Sequence, residues 1–188
     1  KADLLKARFK MRKGDIILLG NFRETSALII GGTFTHTAMY LGHKRFIHAV
    51  ADGVGMMSLY HIFMTYDTMV ILRILGNTWH KRRIIRKAVR FAKQQIGKPY
   101  NFEFTKSKET FFCSGFINQS YREAGYKTGI ASFGHFHTLA EKIEEHLSTA
   151  IKALKPERFL QGNFRIIFLS HNLALEGKRV VLQKEKHS

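Results

Sequence analysis

The sequence predicts an α+β fold, a small antiparallel sheet with helices packed beside it, and three observations lead there. Two short apolar runs, residues 35–41 and 45–50, flank Gly42-His43-Lys44 and read as a β-hairpin. Residues 79–96 carry Ile84, Ile85, Ala88, Val89, Ala92 and Ile96 on one stripe, the spacing of an amphipathic helix. Residues 113–124 repeat that spacing with Phe116, Ile117, Ser120, Tyr121 and Ala124. Paired neighbouring strands followed by helices point to an antiparallel sheet, not an alternating parallel one.

The elements follow in chain order. Residues 15–19 form a short apolar strand after Gly14. Residues 25–30, before Gly31-Gly32, read either as a short helix or as an apolar loop. The hairpin comes next, and then residues 69–75, rich in β-branched and large apolar side chains, give a further strand. Asn77 or Thr78 caps the helix over 79–96, and Gly97 with Pro99 ends it. Gly125 stops the helix over 113–124. Thr138-Leu-Ala-Glu141 is a capping box that starts a third helix. Residues 163–170 and 178–182 read as late strands. No repeat, low-complexity tract or linker interrupts the 188 residues, so one domain over 1–188 is expected.

Composition excludes several classes. A hydrophobic fraction of 45% and an aromatic fraction of 12% exclude a disordered basic tail. One cysteine excludes an internal disulfide framework and a Cys-rich zinc module. No apolar run approaches the roughly 20 residues of a membrane span. No leader is visible, and because the chain opens on Lys1 a removed leader stays an open alternative. The net charge of +17 calls for an acidic partner: nucleic acid, an anionic membrane face or an acidic wall polymer. The excess is confined to residues 1–13, 79–99 and 151–188, and the stretches between them are close to neutral. Within 79–99, Arg82, Arg83, Arg86 and Arg90 are the candidates for contact with an anionic surface.

The chemistry is expected at Cys113. It stands at a helix start, where unpaired backbone N–H groups favour thiolate over thiol and can hold an oxyanion. The plainer alternative is a buried structural cysteine. A nucleophilic cysteine needs a base oriented by a third polar group. His36 opens the apolar strand 37–41, an unusual place for a polar residue unless it faces a cleft. His48 lies on the partner strand, and whether the two rings share a face depends on turn length and any bulge. His135-Phe-His137 is a weak metal candidate without a third ligand, and no Walker A string occurs.

Five strings in one order carry a resemblance: Gly14-Asp-Ile-Ile-Leu, Thr35-His-Thr-Ala-Met-Tyr-Leu-Gly42, Phe46-Ile-His-Ala-Val, Gly97-Lys-Pro-Tyr-Asn-Phe and Phe112-Cys-Ser-Gly-Phe. Over roughly residues 13–126 the chain resembles the circularly permuted, NlpC-type papain-like hydrolases of the YiiX/YaeF kind, and more distantly lecithin–retinol acyltransferase. In that branch the His strands precede the Cys helix, as here. The resemblance implies a permuted papain-like fold with Cys113 as nucleophile, His36 as general base, His48 as the third polar group and Tyr100 as a substrate-site candidate. Residues 127–188 become a C-terminal extension that completes the fold. Two departures stand out: His48 occupies a position where the bacterial members often carry an acid, and Gly115 stands where an acidic residue is usual.

The expected function is a cysteine hydrolase acting through an acyl-enzyme, on amide or peptide bonds of a cell-envelope substrate, with no metal and no cofactor. The expected partner is an anionic wall polymer or membrane surface. The location that fits is a bacterial cell envelope or periplasm, with the cytoplasm as alternative. Two other functions compete, a lipid acyl hydrolase or acyltransferase at an anionic membrane surface and a basic nucleic-acid-binding module.

Overall fold

Strand β1 (Ile16–Gly20) is buried along its whole length because it lies inside a sheet covered on both faces. A computed structural model describes residues 2–21, 34–99, 113–130, 156–176 and 179–182. Helix α1 (Ala2–Lys10) leads into β1, and the chain then runs through β2 (His36–Gly42), β3 (Arg45–Val50), β4 (Gly53–Ser58), α2 (Leu59–Thr65), β5 (Thr68–Ile74), α3 (Thr78–Gln94) and α4 (Cys113–Glu123). A 3₁₀ turn (Pro156–Gln161), β6 (Phe164–Leu169), β7 (Leu173–Glu176) and β8 (Arg179–Leu182) follow. Six strands form one antiparallel sheet in the order β4-β3-β2-β1-β5-β6, and β7 pairs with β8. This is the α+β arrangement expected.

Strand periodicity divides the core in two. Ile16, Leu18, Met39, Ile47, Val70 and Leu72 face Ile84, Ala88, Val89 and Ala92 of α3 and Phe116, Ile117 and Tyr121 of α4. Ile17, Leu19, Ala38, Phe46, Met69 and Ile71 face the other way, onto Ala7 and Met11 beside α1 and onto Leu59 and Ile62 of α2. Each large aliphatic side chain so buried contributes about 1.5–3 kcal/mol. The unbroken apolar run of β1 thus reports burial on both sides.

The Gly14-Asp15 pair ties the helices to this sheet. Gly14 has φ +87°, and a Cβ there would strike Ile85 of α3. Its carbonyl accepts the Tyr121 hydroxyl of α4. Asp15, 1% exposed, takes both Arg73 nitrogens at 2.7 Å and the Arg12 backbone N–H at 2.7 Å. Burial raises the Asp15 carboxyl from its ordinary range while Arg73 and Arg12 pull against that rise.

The expected hairpin, the strand over 69–75 and the helices over 79–96 and 113–124 appear within one to two residues of their limits, with Asn77 as the cap of α3. The late strands appear as β6 and β8. Strands β4 and β7 and helices α1 and α2 were not anticipated. Helix α2 is only seven residues long, too short for a periodic stripe. Residues 25–30, Tyr100, His135, His137 and the helix at Thr138 lie outside the described residues. No helix of the described residues is long and apolar enough to cross a membrane.

Candidate active site

The register of β2 against β3 decides whether His36 and His48 meet. Ala38 faces His48, and the only irregularity in the pairing falls later, between Tyr40 and Gly42. His36, Ala38 and His48 therefore share one face, with His36 diagonal to His48. His36 Nε2 lies 3.0 Å from His48 Nδ1, and the rings meet edge to face with centroids 5.1 Å apart. Tyr66, at the end of α2, stacks on the other side of His36 with planes 5° apart and centroids at 6.0 Å. His36 thus meets an imidazole edge-to-face and a phenol ring in parallel.

Cys113 is the first residue of α4 and is buried. The backbone N–H groups of Ser114, of Thr37 and of Cys113 itself act on its sulfur and favour the thiolate. Two of these donors belong to the helix start, and the third comes from β2, from the residue next to His36. Cys113 thus lies against Thr37, the residue next to His36, on the sheet face that α4 covers, while the His36 side chain shares the face of Ala38. Among the described residues, no hydrogen bond joins Cys113 to His36.

One electrostatic expectation is corrected. The helix start was expected to make Cys113 a thiolate, yet burial pushes the thiol up to about 11, and the three N–H groups only moderate this. Removing a sulfur anion from water costs more than those donors return. The histidines move the opposite way. Burial first, then the charges of His48 and His61, bring His36 down to about 3. Burial and His61 bring His48 down to about 4. At neutral pH the resting site is a neutral thiol beside two neutral imidazoles.

His61 and Tyr66 were missed from the sequence. Both belong to the α2 segment, which sits beneath the His face only through the turn from β4. His61 borders an open cleft of about 570 Å³ whose wall includes His48. Arg82, Arg83, Arg86 and Arg90 are all exposed on α3, away from the paired histidines. Among the described residues, no group of three or more His, Cys, Asp or Glu side chains is placed to hold a metal ion.

Comparisons with known proteins bear on the family and on the fold. A family model described as permuted papain-like amidase enzyme, YaeF/YiiX, C92 family matches residues 10–162. A crystal structure described as the metalloprotein yiiX of Escherichia coli O157:H7 superposes with a TM-score of 0.60 at 18% identity, covering 86% of this chain and 98% of the other. At that identity the likeness concerns the fold. No curated protein matches the sequence.

Proposed function

The chain belongs to the permuted papain-like amidase family, a cysteine peptidase/amidase family, and from that premise we propose that Cys113, His36 and His48 form its catalytic set, acting on amide bonds of a cell-envelope substrate. The observation that carries the assignment is the 3.0 Å contact between His36 Nε2 and His48 Nδ1, with Cys113 set beside the next residue of β2.

The proposed proton path sets the tautomers across this contact. To accept a proton at Nδ1, His36 must carry its own proton on Nε2 and donate it to His48 Nδ1. His48 then holds its proton on Nε2, toward the cleft. As the Cys113 sulfur attacks the carbonyl carbon, its proton passes to His36 Nδ1, and the imidazolium is steadied by His48 and by the Tyr66 face. The N–H groups at the start of α4 face the developing oxyanion. Collapse breaks the C–N bond, and the amine leaves with the proton from His36. Water, deprotonated by His36, then cleaves the thioester and returns the thiol. A neutral resting thiol means that proton transfer accompanies attack, with no standing ion pair.

The basic face of α3 supports a surface role separate from this chemistry. Trp79, 84% exposed, projects at the start of that helix beside Arg82, Arg83 and Arg86. Such a face suits an anionic wall polymer. An exposed tryptophan on a basic helix also suits an anionic lipid surface, where a lipid ester would be the substrate. Wall-polymer sedimentation beside anionic-liposome sedimentation separates the two, and nucleic-acid binding that survives Cys113→Ala would favour the third reading. The catalytic assignment is tested by mass spectrometry after exposure to a p-nitrophenyl ester. Acyl adduct is expected on Cys113 and lost in Cys113→Ala. Full turnover in both Cys113→Ala and His36→Ala would refute it.

A further inference from the structure

The cleft beside His48 has a composition that the reaction alone does not require. Its wall is formed by His43, Lys44, Arg45, His48, Ser58 and His61, with two methionines, and among the described residues it contains no carboxylate. Lys44, Arg45 and His61 are exposed. All three come from short segments held in place. Gly42 pairs with Arg45 across a two-residue turn, and both turn residues, His43 and Lys44, have positive φ, 50° and 59°. That is the backbone of a type I′ turn, for which asparagine and glycine are the favoured residues. Side chains with a full Cβ are disfavoured in this region. A lysine and a histidine are kept there nonetheless.

The turn is also pinned from both sides. The Lys44 backbone N–H donates to the Tyr40 hydroxyl at 3.3 Å, and the Lys44 carbonyl accepts the Leu59 N–H at 2.9 Å. Ser58 caps α2 by accepting the His61 backbone N–H at 3.1 Å, which sets His61 on the first turn facing the cleft. The positive groups are therefore presented by fixed backbone.

We propose that this cleft is the subsite for an anionic group of the substrate, a carboxylate or a phosphate ester, held by Lys44 and Arg45 with His61 at its wall. The assignment rests on the hydrolase reading above. Lysine and arginine meet such groups with charge-assisted hydrogen bonds, and arginine can do so in bidentate fashion. The anion has a second effect through its place beside His48. Among the described residues the histidine pair has no acid to steady a positive charge, and burial opposes one. A bound negative group offsets that opposition as His36 accepts the thiol proton, so the substrate completes the site that acts on it.

Two measurements test this on the whole chain. In the first, glutarate and inorganic phosphate are titrated separately while the imidazole C–H signals of His48 and His61 are followed by NMR. Saturable shifts are expected with at least one ligand, and which one saturates distinguishes a carboxylate from a phosphate site. Affinity should fall about tenfold or more in Lys44→Gln/Arg45→Gln. A linear response to both ligands, or equal affinity in the variant, overturns the subsite. In the second, kcat/KM is compared for p-nitrophenyl hemiglutarate and neutral p-nitrophenyl pentanoate. A preference of roughly tenfold for the anionic ester is expected, collapsing toward parity in the double variant. Equal values in the wild type overturn the subsite while the hydrolase reading stands. Saturable binding with no acylation of Cys113 by either ester overturns the hydrolase reading and leaves an anion site without a substrate.

Discussion

Asp15 and His36 sit at opposite ends of the same pair of strands and handle burial in opposite ways. Asp15 leads into β1, and His36 lies across from Leu19 near its other end, about 13 Å away at roughly 3.3 Å per residue. Asp15 keeps its charge, since Arg73 and the Arg12 N–H satisfy the carboxylate. His36, 8% exposed, has no acid beside it among the described residues and stays neutral against a second neutral ring. The paired charge joins the segment before β1 to β5. A neutral imidazole remains available to accept a proton. Two polar residues in similar surroundings thus serve different ends, and the partner decides which.

Substitutions should separate the two ends. The largest effect is expected at the histidine end, on activity. His36→Ala should lower ester turnover about 10²–10⁴-fold, and Cys113→Ala should abolish acyl-enzyme, with urea midpoints near the wild-type value. A fall in midpoint matching the fall in activity would merge the two ends. Next comes Asp15→Ala, which strands the Arg73 guanidinium. It should destabilise the fold by about 3–5 kcal/mol in urea denaturation. Per folded molecule, activity should change far less.

A smaller effect is expected for His48→Gln. Losing the acceptor for the His36 Nε2–H should lower kcat about tenfold, what one hydrogen bond of roughly 1.4 kcal/mol supplies. An unchanged kcat would remove His48 from the mechanism. The smallest effect is on stability against pH. Both histidines have folded values, about 3 and about 4, below the unfolded 6.5. The unfolded chain therefore binds more protons between these limits, and stability falls as pH drops from about 6.5 toward 4. Denaturation midpoints from pH 7 to 4.5 should show a shallower fall in His36→Gln/His48→Gln. An identical slope would mean that the pair is already charged.

Alkylation of Cys113 probes the same neutrality from the sulfur. With the thiol pushed up to about 11, the rate should climb steadily through pH 9 with no plateau near neutrality. An inflection near pH 6–7 that vanishes in His36→Ala would reveal a resting ion pair instead.

Much of this molecule was readable along the chain. The hairpin, α3 and α4 were legible because each carries its signal locally, in a turn, a stripe or a cap. His36 and Cys113 were legible for a related reason: each is a polar or reactive residue set at the start of an apolar element. Gly14-Asp15 was visible as a string, but its work, holding Ile85, Tyr121 and Arg73, depends on residues 58 to 107 positions away. His61 and Tyr66 were hidden because α2 is too short to show a period, and their place beside the histidines arises from the turn at Ser58 that leads from β4 into α2.

Local signals along the chain marked the hairpin, α3, α4 and the residues His36 and Cys113, since propensity, capping and periodicity act over a few residues. That the two imidazoles touch was left to strand register, because a one-residue slip of β2 against β3 would have turned one ring to the opposite face. The tertiary structure also decided the charge state of the site. A helix start favours a thiolate wherever it occurs, but whether that preference prevails depends on how much water the rest of the fold takes away.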